Sequence, residues 1–254
     1  MPTDVERWIA ALQTRHRAPF TNSEFLKAVR ALSARYVERR GELPDRSPLD
    51  SAAKRAAFAA FYGPLHFLTV ARIVTALGAA DRPGTALIDL GCGTGVASAA
   101  WAIASPTPPR ISGVDVHVWA LEEAAWTWRT LGLDARGRRA DLLRTRLDPG
   151  ASIVAGWSVN ELDQRTRAAL LPRLLEAAAH QSAVLVVEPI GRRATPWWPE
   201  WEAAFQARGG RSDDWRFDDA LPPVLAELDE AAGFRREALS AKTLWISRRY
   251  GNAP

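Results

Sequence analysis

The chain has 254 residues, 47% of them hydrophobic and 24% charged, which is enough apolar material for a large domain with an extension and too much for disorder. One cysteine, Cys92, and four scattered histidines (His16, His66, His117 and His180) supply neither a disulfide framework nor metal-ligand spacing, so no metal is expected. The formal net charge of +4 comes from arginines interleaved with acids, which admits a nucleic-acid partner without demanding one. Asp4 and Glu6 interrupt an N-terminus with no apolar signal core, and no uncharged apolar stretch of about 18 residues stands out. The expectation is a soluble cytoplasmic protein with no membrane partner.

From Asp4 to about Leu77 the pattern is helical, with Phe25, Ala28, Val29 and Leu32 recurring at three and four positions and a break at Gly41–Pro48. Helices are expected near Ser51–Phe61 and Leu65–Leu77, before Asp81-Arg82-Pro83-Gly84 turns the chain into its first strand. That strand is Ala86-Leu87-Ile88-Asp89-Leu90, followed by Gly91-Cys92-Gly93-Thr94-Gly95. Four apolar residues suit a buried parallel strand, and the glycines let the backbone turn and approach a ligand closely.

Short apolar runs then alternate with helix-length segments, as a doubly wound sheet requires. Strands are expected at Ile111–Val114, more weakly before Asp141, at Ser152–Trp157 and at Ala183–Val187, with helices over Trp119–Leu131 and Arg165–Ala179. Pro172 is expected to kink or split the latter helix. A helix at about Pro222–Ala232 and two closing strands, Phe234–Leu239 and Thr243–Arg248, complete the order. Two strands so close in sequence must be antiparallel. The fold class is therefore α/β: a Rossmann-like, seven-stranded, mostly parallel sheet with an antiparallel terminal hairpin, over about residues 81–254. Residues 1–80 form a helical extension, and a Trp- and Arg-rich insert occupies about 189–220.

A carboxylate at Asp89 would repel a pyrophosphate, which favours S-adenosylmethionine over NAD or ATP as the occupant of the glycine loop. Asp115 ends the second strand about twenty residues after Gly95, the separation at which an acid meets cofactor ribose hydroxyls; the alternative is a cap for the following helix. Asp141 reads either as a cofactor contact or as an N-cap. Trp157-Ser158-Val159-Asn160-Glu161 ends the fourth strand, where a substrate would meet the methyl group. Asn160 and Glu161 are candidates for orienting a substrate or taking a proton, although Glu161 also suits the acidic start of a helix. Glu188, Arg192, Trp197, Trp198 and Trp215 lie at or after the fifth strand's end, and form either a recognition surface or a lid packed on the core. Cytosine-C5 chemistry is disfavoured, because the only cysteine sits in the glycine loop.

From about Ala56 to Trp245 the chain resembles the class I S-adenosylmethionine-dependent methyltransferases. The resemblance implies that Asp89, Gly91, Cys92, Gly93 and Gly95 bind the cofactor. It also implies that Val116 and His117 flank the adenine, that Asp141 with Leu142 meets its amino group, and that Trp157 borders the methyl group. A narrower likeness rests on Phe61-Tyr62-Gly63-Pro64, Gly156-Trp157-Ser158-Val159-Asn160-Glu161-Leu162 and Leu185-Val186-Val187-Glu188-Pro189. These resemble methyltransferase-like proteins associated with small-ribosomal-subunit assembly, which implies ribosomal association and adds Tyr62 and Ser158 to the substrate candidates. The expected activity is methyl transfer to RNA or to a small molecule. A non-catalytic, cofactor-binding assembly or RNA-binding factor is the alternative.

Overall fold

The computed structural model describes residues 3–38, 49–82, 84, 86–191 and 195–247; the expected break at Gly41–Pro48 and the candidate Arg192 lie outside the described residues. The chain divides into two compact units, Met1–His66 with Arg216–Leu239, and Phe67–Trp215 with Ser240–Pro254. Compared with a division at residue 80, this partition groups 67–80 with the sheet and 216–239 with the N-terminal helices.

The first unit is helical. Helix α1 (Asp4–Arg17) starts in a capping box, Thr3 accepting from Glu6 N while Glu6 accepts from Thr3 N, and α2 (Asn22–Glu38) follows. Helix α3 (Ala52–Ala57) runs through a π-helical turn, Phe58–Tyr62, directly into α4 (Gly63–Ala76), so the two helices expected at 51–61 and 65–77 are one. Pro64 explains the turn. It has no N–H to offer the carbonyl of Ala60, and Gln13 Nε2 donates to that oxygen instead at 2.6 Å, while Gly63 N reaches back five residues to Phe58 O. The continuous Ala52–Ala76 helix is also long and apolar enough to cross a membrane by length and composition, although Lys54, Arg55 and Arg72 leave it no uncharged stretch of about 18 residues. Of its most apolar window 72% is buried, as in the core helix of a globular fold. Helix α9 (Pro223–Ala232) ends at Gly233 with φ +81°, where Arg30 donates to the carbonyls of Ala231 and Ala232.

The second unit carries the sheet, with strands β1 (Ala86–Leu90), β2 (Arg110–Asp115), β3 (Ala135–Arg139), β4 (Ser152–Gly156), β5 (Ala183–Glu188), β6 (Arg211–Phe217) and β7 (Leu239–Ile246) in the spatial order β3-β2-β1-β4-β5-β7-β6. Strands β1 to β5 pair in parallel, and β7 runs antiparallel to β5. The central strands are buried because helices α5 (Val96–Ala104), α6 (Val118–Thr130), α7 (Gln164–Ala179) and α8 (Trp198–Gln206) cover the sheet. Ile88, Leu90, Ile153, Ala155, Val184 and Val186 meet Leu170, Leu174, Trp201 and Phe205 in one core cluster.

The seven-stranded architecture is as expected, but its sixth strand is not Phe234–Leu239. It is Arg211–Phe217, inside the segment read as an insert, and α9 separates it from β7. Asp213, Trp215 and Phe217 are half-buried between the exposed Asp214 and Arg216. This alternation is masked by charge, as is common where an edge strand has one neighbour. Helix α7 is unbroken at Pro172, because the carbonyl this proline orphans belongs to the exposed Ala168, where water can take it.

Candidate functional site

The order reverses between β1 and β4, so chain departs in opposite directions from adjacent strand ends and leaves a crevice there. The glycine loop enters that crevice. Gly91, Gly93 and Gly95 have φ of +69°, +51° and +76°, the left-handed region. A Cβ on Gly95 would sit 2.7 Å from the Trp128 indole, whereas one on Gly93 would meet nothing within 4 Å. The loop is thus packed from behind and open in front.

Trp128, on the inward face of α6, is the support that sequence reasoning missed. Its Nε1 donates to Gly95 O at 2.9 Å and to Ser98 Oγ at 3.2 Å, and its ring fills the space left by Gly95 and Gly113. The inward spacing of Ala120, Ala124 and Trp128 along α6 is the signal that marks it. Cys92 is buried in the turn with its thiol pushed well up, chiefly by burial and then by Asp89 and Asp115. It is a packing residue rather than a nucleophile.

Asp115 ties the loop to the end of β2. Oδ2 accepts from Gly93 N at 2.9 Å and Oδ1 from His117 N at 2.8 Å, so one carboxylate fixes both the glycine turn and the entry to α6. Beside it, Val116 and Val118 are 54% and 51% exposed, two of the large apolar residues left open to solvent among the described residues. His117 begins α6 without a side-chain cap. Asp89 is buried at the end of β1. Oδ2 accepts from Ser98 N at 3.2 Å, and Oδ1 is buried with no hydrogen-bond partner. Burial first, and then Asp115, raise its carboxyl to about 6 against the pull of Ser98.

At the end of β4, Trp157 holds φ +53°, a conformation costly for a bulky residue and typical of functional loops. Ser158 Oγ donates to Leu90 O at 2.8 Å, locking the β4 end to the β1 end rather than presenting a hydroxyl outward. Glu161 lies in the short turn Val159–Glu161 after β4, exposed to solvent yet with protein around its carboxyl. The surrounding protein, and then the Asp115 charge, push its carboxyl up to about 7. Glu188, at the end of β5, is wholly buried: Oε1 accepts from Asn160 N at 2.9 Å and Oε2 has no hydrogen-bond partner. Burial dominates its rise to about 8, with Glu161 adding to it, while the N–H of Asn160 and more weakly Lys242 oppose it. Asp89, Asp115, Glu161 and Glu188 therefore form an electrostatically connected set across four strand ends. Among the described residues, no group of three or more His, Cys, Asp and Glu side chains has the arrangement to hold a metal.

A carboxyl raised from 4.5 to about 8 by folding stabilises the fold below its unfolded value, and that contribution is lost as pH rises through about 8. Glu188→Gln keeps an acceptor for Asn160 N and cannot ionise. Thermal melts over this range should show the wild-type Tm declining more steeply than that of the variant, in which, among the described residues, only Asp89 and Glu161 keep raised carboxyls; parallel curves would contradict this placement.

The other candidates take structural places. Asp141 Oδ1 accepts from Leu143 N at 2.8 Å and so makes the N-cap, while Leu142 is buried in the core and its carbonyl accepts from Arg173. Trp197, Trp198 and Trp201 pack on one another with ring centroids 4.9 and 5.4 Å apart, and all are at least nine-tenths buried. Trp197 and Trp198 are thus core residues rather than stacking platforms, because a ring walled in on both faces has none to offer a substrate. Lys242 lies over the Trp198 ring at 4.2 Å and donates to Thr195 Oγ1. Trp215 on β6 donates to Thr243 Oγ1 at 2.9 Å. Tyr62 belongs to the helical unit, where it is 7% exposed and its hydroxyl donates to Val29 O at 3.0 Å.

The sequence matches no protein-family model and no curated protein. Among solved structures, the chain is similar to a candidate O-methyltransferase from Nostoc punctiforme, with 16% identity over 89% of this chain and 70% of that one, at a TM-score of 0.55. The mitomycin 7-O-methyltransferase MmcR gives 14% identity over 98% of this chain and 74% of that one, at 0.51. A candidate RNA methyltransferase from Pyrococcus horikoshii gives 12% over 74% and 86%, at 0.50. These likenesses establish a Rossmann-like methyltransferase fold. The narrower likeness to proteins of small-ribosomal-subunit assembly finds no support among these neighbours.

Proposed function

We propose that this chain is an S-adenosylmethionine-dependent methyltransferase acting on RNA or a small molecule. The carrying observation is the glycine loop bound to Asp115 through Gly93 N, with the front of Gly93 open and the buried Asp89 Oδ1 lacking a partner. The donors and acceptors present fit this cofactor. Gly91, Gly93 and Gly95 would border its amino-acid part and Asp89 its ammonium. The Asp115 lone pairs not used by backbone N–H groups would take the ribose hydroxyls. Val116 and His117 would flank the adenine. Asp141 still has its second oxygen to offer the adenine amino group, whereas Leu142 would contribute through its backbone.

Asp89 and Asp115, joined by Glu161 as it ionises, create a negative potential that suits a cation and opposes a pyrophosphate, while Glu188, raised to about 8, stays mostly protonated near neutral pH. When bound, the cofactor supplies an electrophilic methyl group on a sulfonium. The chain's own residues position an acceptor against it, and positioning alone is worth on the order of 7 to 11 kcal/mol in favourable intramolecular cases. Glu161 would take a proton where the acceptor needs to lose one, its carboxyl being pushed up to about 7. Asn160 is a positioning residue: its N–H is fixed by Glu188, and Trp197 Nε1 makes a long contact of 3.5 Å to its Oδ1.

The sign of the pH dependence follows. Asp89 and Glu161 become anionic as pH rises through about 6 and about 7, so affinity for the sulfonium should increase over that range. Calorimetry should show a smaller increase for S-adenosylhomocysteine, whose sulfur is neutral, and Glu161→Gln should reduce the difference. Equal pH profiles for the two ligands would remove Glu161 from the cofactor's electrostatic environment. Methyl transfer itself is tested with labelled cofactor and fractionated RNA and metabolite extracts. Label in one fraction, lost in Asp115→Ala, supports an enzyme; cofactor binding without transfer to any fraction favours the non-catalytic alternative.

A further inference from the structure

We propose that the open edge of the sheet at β3 docks the sugar–phosphate backbone of a nucleic acid. The sheet ends at β3, so one side of this strand has no neighbour, and its sequence is Ala-Arg-Gly-Arg-Arg. Arg136, Arg138 and Arg139 are exposed, and so are Arg129 before the strand and Arg144 and Arg146 after it. Residues 129–146 hold six arginines and two aspartates, a net +4. The strand and its flanks are thus one of the strongly basic stretches of the chain.

Charge on an edge strand also guards against strand-to-strand aggregation, and a few lysines or a mixture of signs suffices for that. Here the charges are of one sign and one residue type. Among the described residues no acidic side chain pairs with Arg136, Arg138, Arg139 or Arg144, while the two flanking acids are engaged elsewhere: Asp134 pairs with Arg110, and Asp141 caps Leu143 N. Arg146 is paired with Asp148. Arg136 and Arg138 project from one face of the strand, opposite the face on which Gly137 meets Leu121 of α6, and lie about 6.6 Å apart along it. That matches the spacing of successive phosphates along a nucleic-acid strand. Guanidinium groups bind phosphate oxygens in a bidentate fork, and no large apolar side chain is exposed along β3 to anchor a protein partner.

The edge also abuts the candidate site. Ala140 N donates to Asp115 O at 3.1 Å and Arg139 Nε to Val116 O at 3.2 Å, so a strand held along β3 passes the end of β2 that carries Asp115. This docking does not depend on the methyl-transfer reading, and it is measured without cofactor.

The test is fluorescence anisotropy of the full chain with labelled mixed-sequence single-stranded RNA and DNA of about 20 nucleotides, longer than common footprints, and with duplex RNA. Salt is titrated from about 50 to 200 mM, and a labelled polyglutamate serves as the acidic-peptide control. The wild type should bind with a log–log salt slope of about −3 for four free arginines. Arg136→Glu/Arg138→Glu should bind at least about tenfold more weakly and lose about one to two units of that slope, whereas Lys27→Glu on the helical unit should bind as the wild type does. Circular dichroism melts matching the wild type keep misfolding out of the comparison. The proposal is overturned by absence of nucleic-acid binding at the lowest salt, by an equal effect of Lys27→Glu, by a double variant with unchanged affinity and slope, or by polyglutamate binding in place of nucleic acid. Preference for RNA over DNA, or none, both support a backbone site, and the first assigns RNA as the strand carried.

Discussion

Asp115→Ala is expected to weaken S-adenosylmethionine binding by about 100-fold, or about 2.7 kcal/mol, with little change in thermal stability. The effect is large because one carboxylate does two things. It holds Gly93 N and His117 N in place, and its remaining lone pairs are the acceptors assigned to the ribose. Removing it leaves two backbone donors to water and loosens the turn between the glycine loop and α6. The stability cost is small, since Asp115 is only half-buried and both donors can be solvated. Gly93→Arg is its steric counterpart: its Cβ meets nothing within 4 Å, so the side chain fills the ligand's position, and φ +51° adds a backbone strain that the melt should register as a modest loss of stability. Calorimetry and a melt on each variant separate the two effects. Unchanged affinity in both would remove the cofactor from this loop.

Trp128→Ala should destabilise the sheet unit by about 3 to 5 kcal/mol, the range for losing a large buried aromatic. Trp128 is 1% exposed, its ring stands against Gly95 and Gly113, and its indole N–H satisfies Gly95 O. Trp128→Phe restores most of the volume and none of the hydrogen bond. It should recover most of the stability and leave a residual loss in cofactor affinity, because the loop carbonyl would be unpaired. Urea unfolding read with cofactor titration distinguishes packing from loop support; a Phe variant equal to the wild type in both would make Trp128 a core residue and nothing more.

Much of this was legible in the sequence, for identifiable reasons. The apolar run of β1 and its glycines announce themselves because a fully buried parallel strand has no freedom to be polar, and a left-handed turn little freedom to be anything but glycine. Asp115 stood out by its spacing from Gly95, and the structure has it holding Gly93 N and His117 N. What stayed hidden depends on neighbours. Strand β6 reads as polar because its sheet neighbour is β7 on one side and its other edge is open, so only Asp213, Trp215 and Phe217 hint at a period of two. Trp197 and Trp198 look like recognition residues until α8 is seen to bury them against Trp201. Ser158 looks like a substrate group until Leu90 O is found 2.8 Å away. The coupling of Glu161 to Asp115 and Glu188 joins β4 to strands on both sides of it, and no local pattern records that. The arginines of β3 were visible one by one as part of a diffuse basic charge. Their meaning comes from the strand's place at the sheet's edge.

The most direct test of the account is calorimetric titration of S-adenosylmethionine into the full chain near neutral pH, with NAD and ATP as comparison ligands. Saturable one-site binding is expected with a Kd of order micromolar, about −8 kcal/mol, and no comparable binding of the two pyrophosphate ligands. Tighter binding of NAD or ATP, or no heat of binding from S-adenosylmethionine at about millimolar concentration, would contradict it.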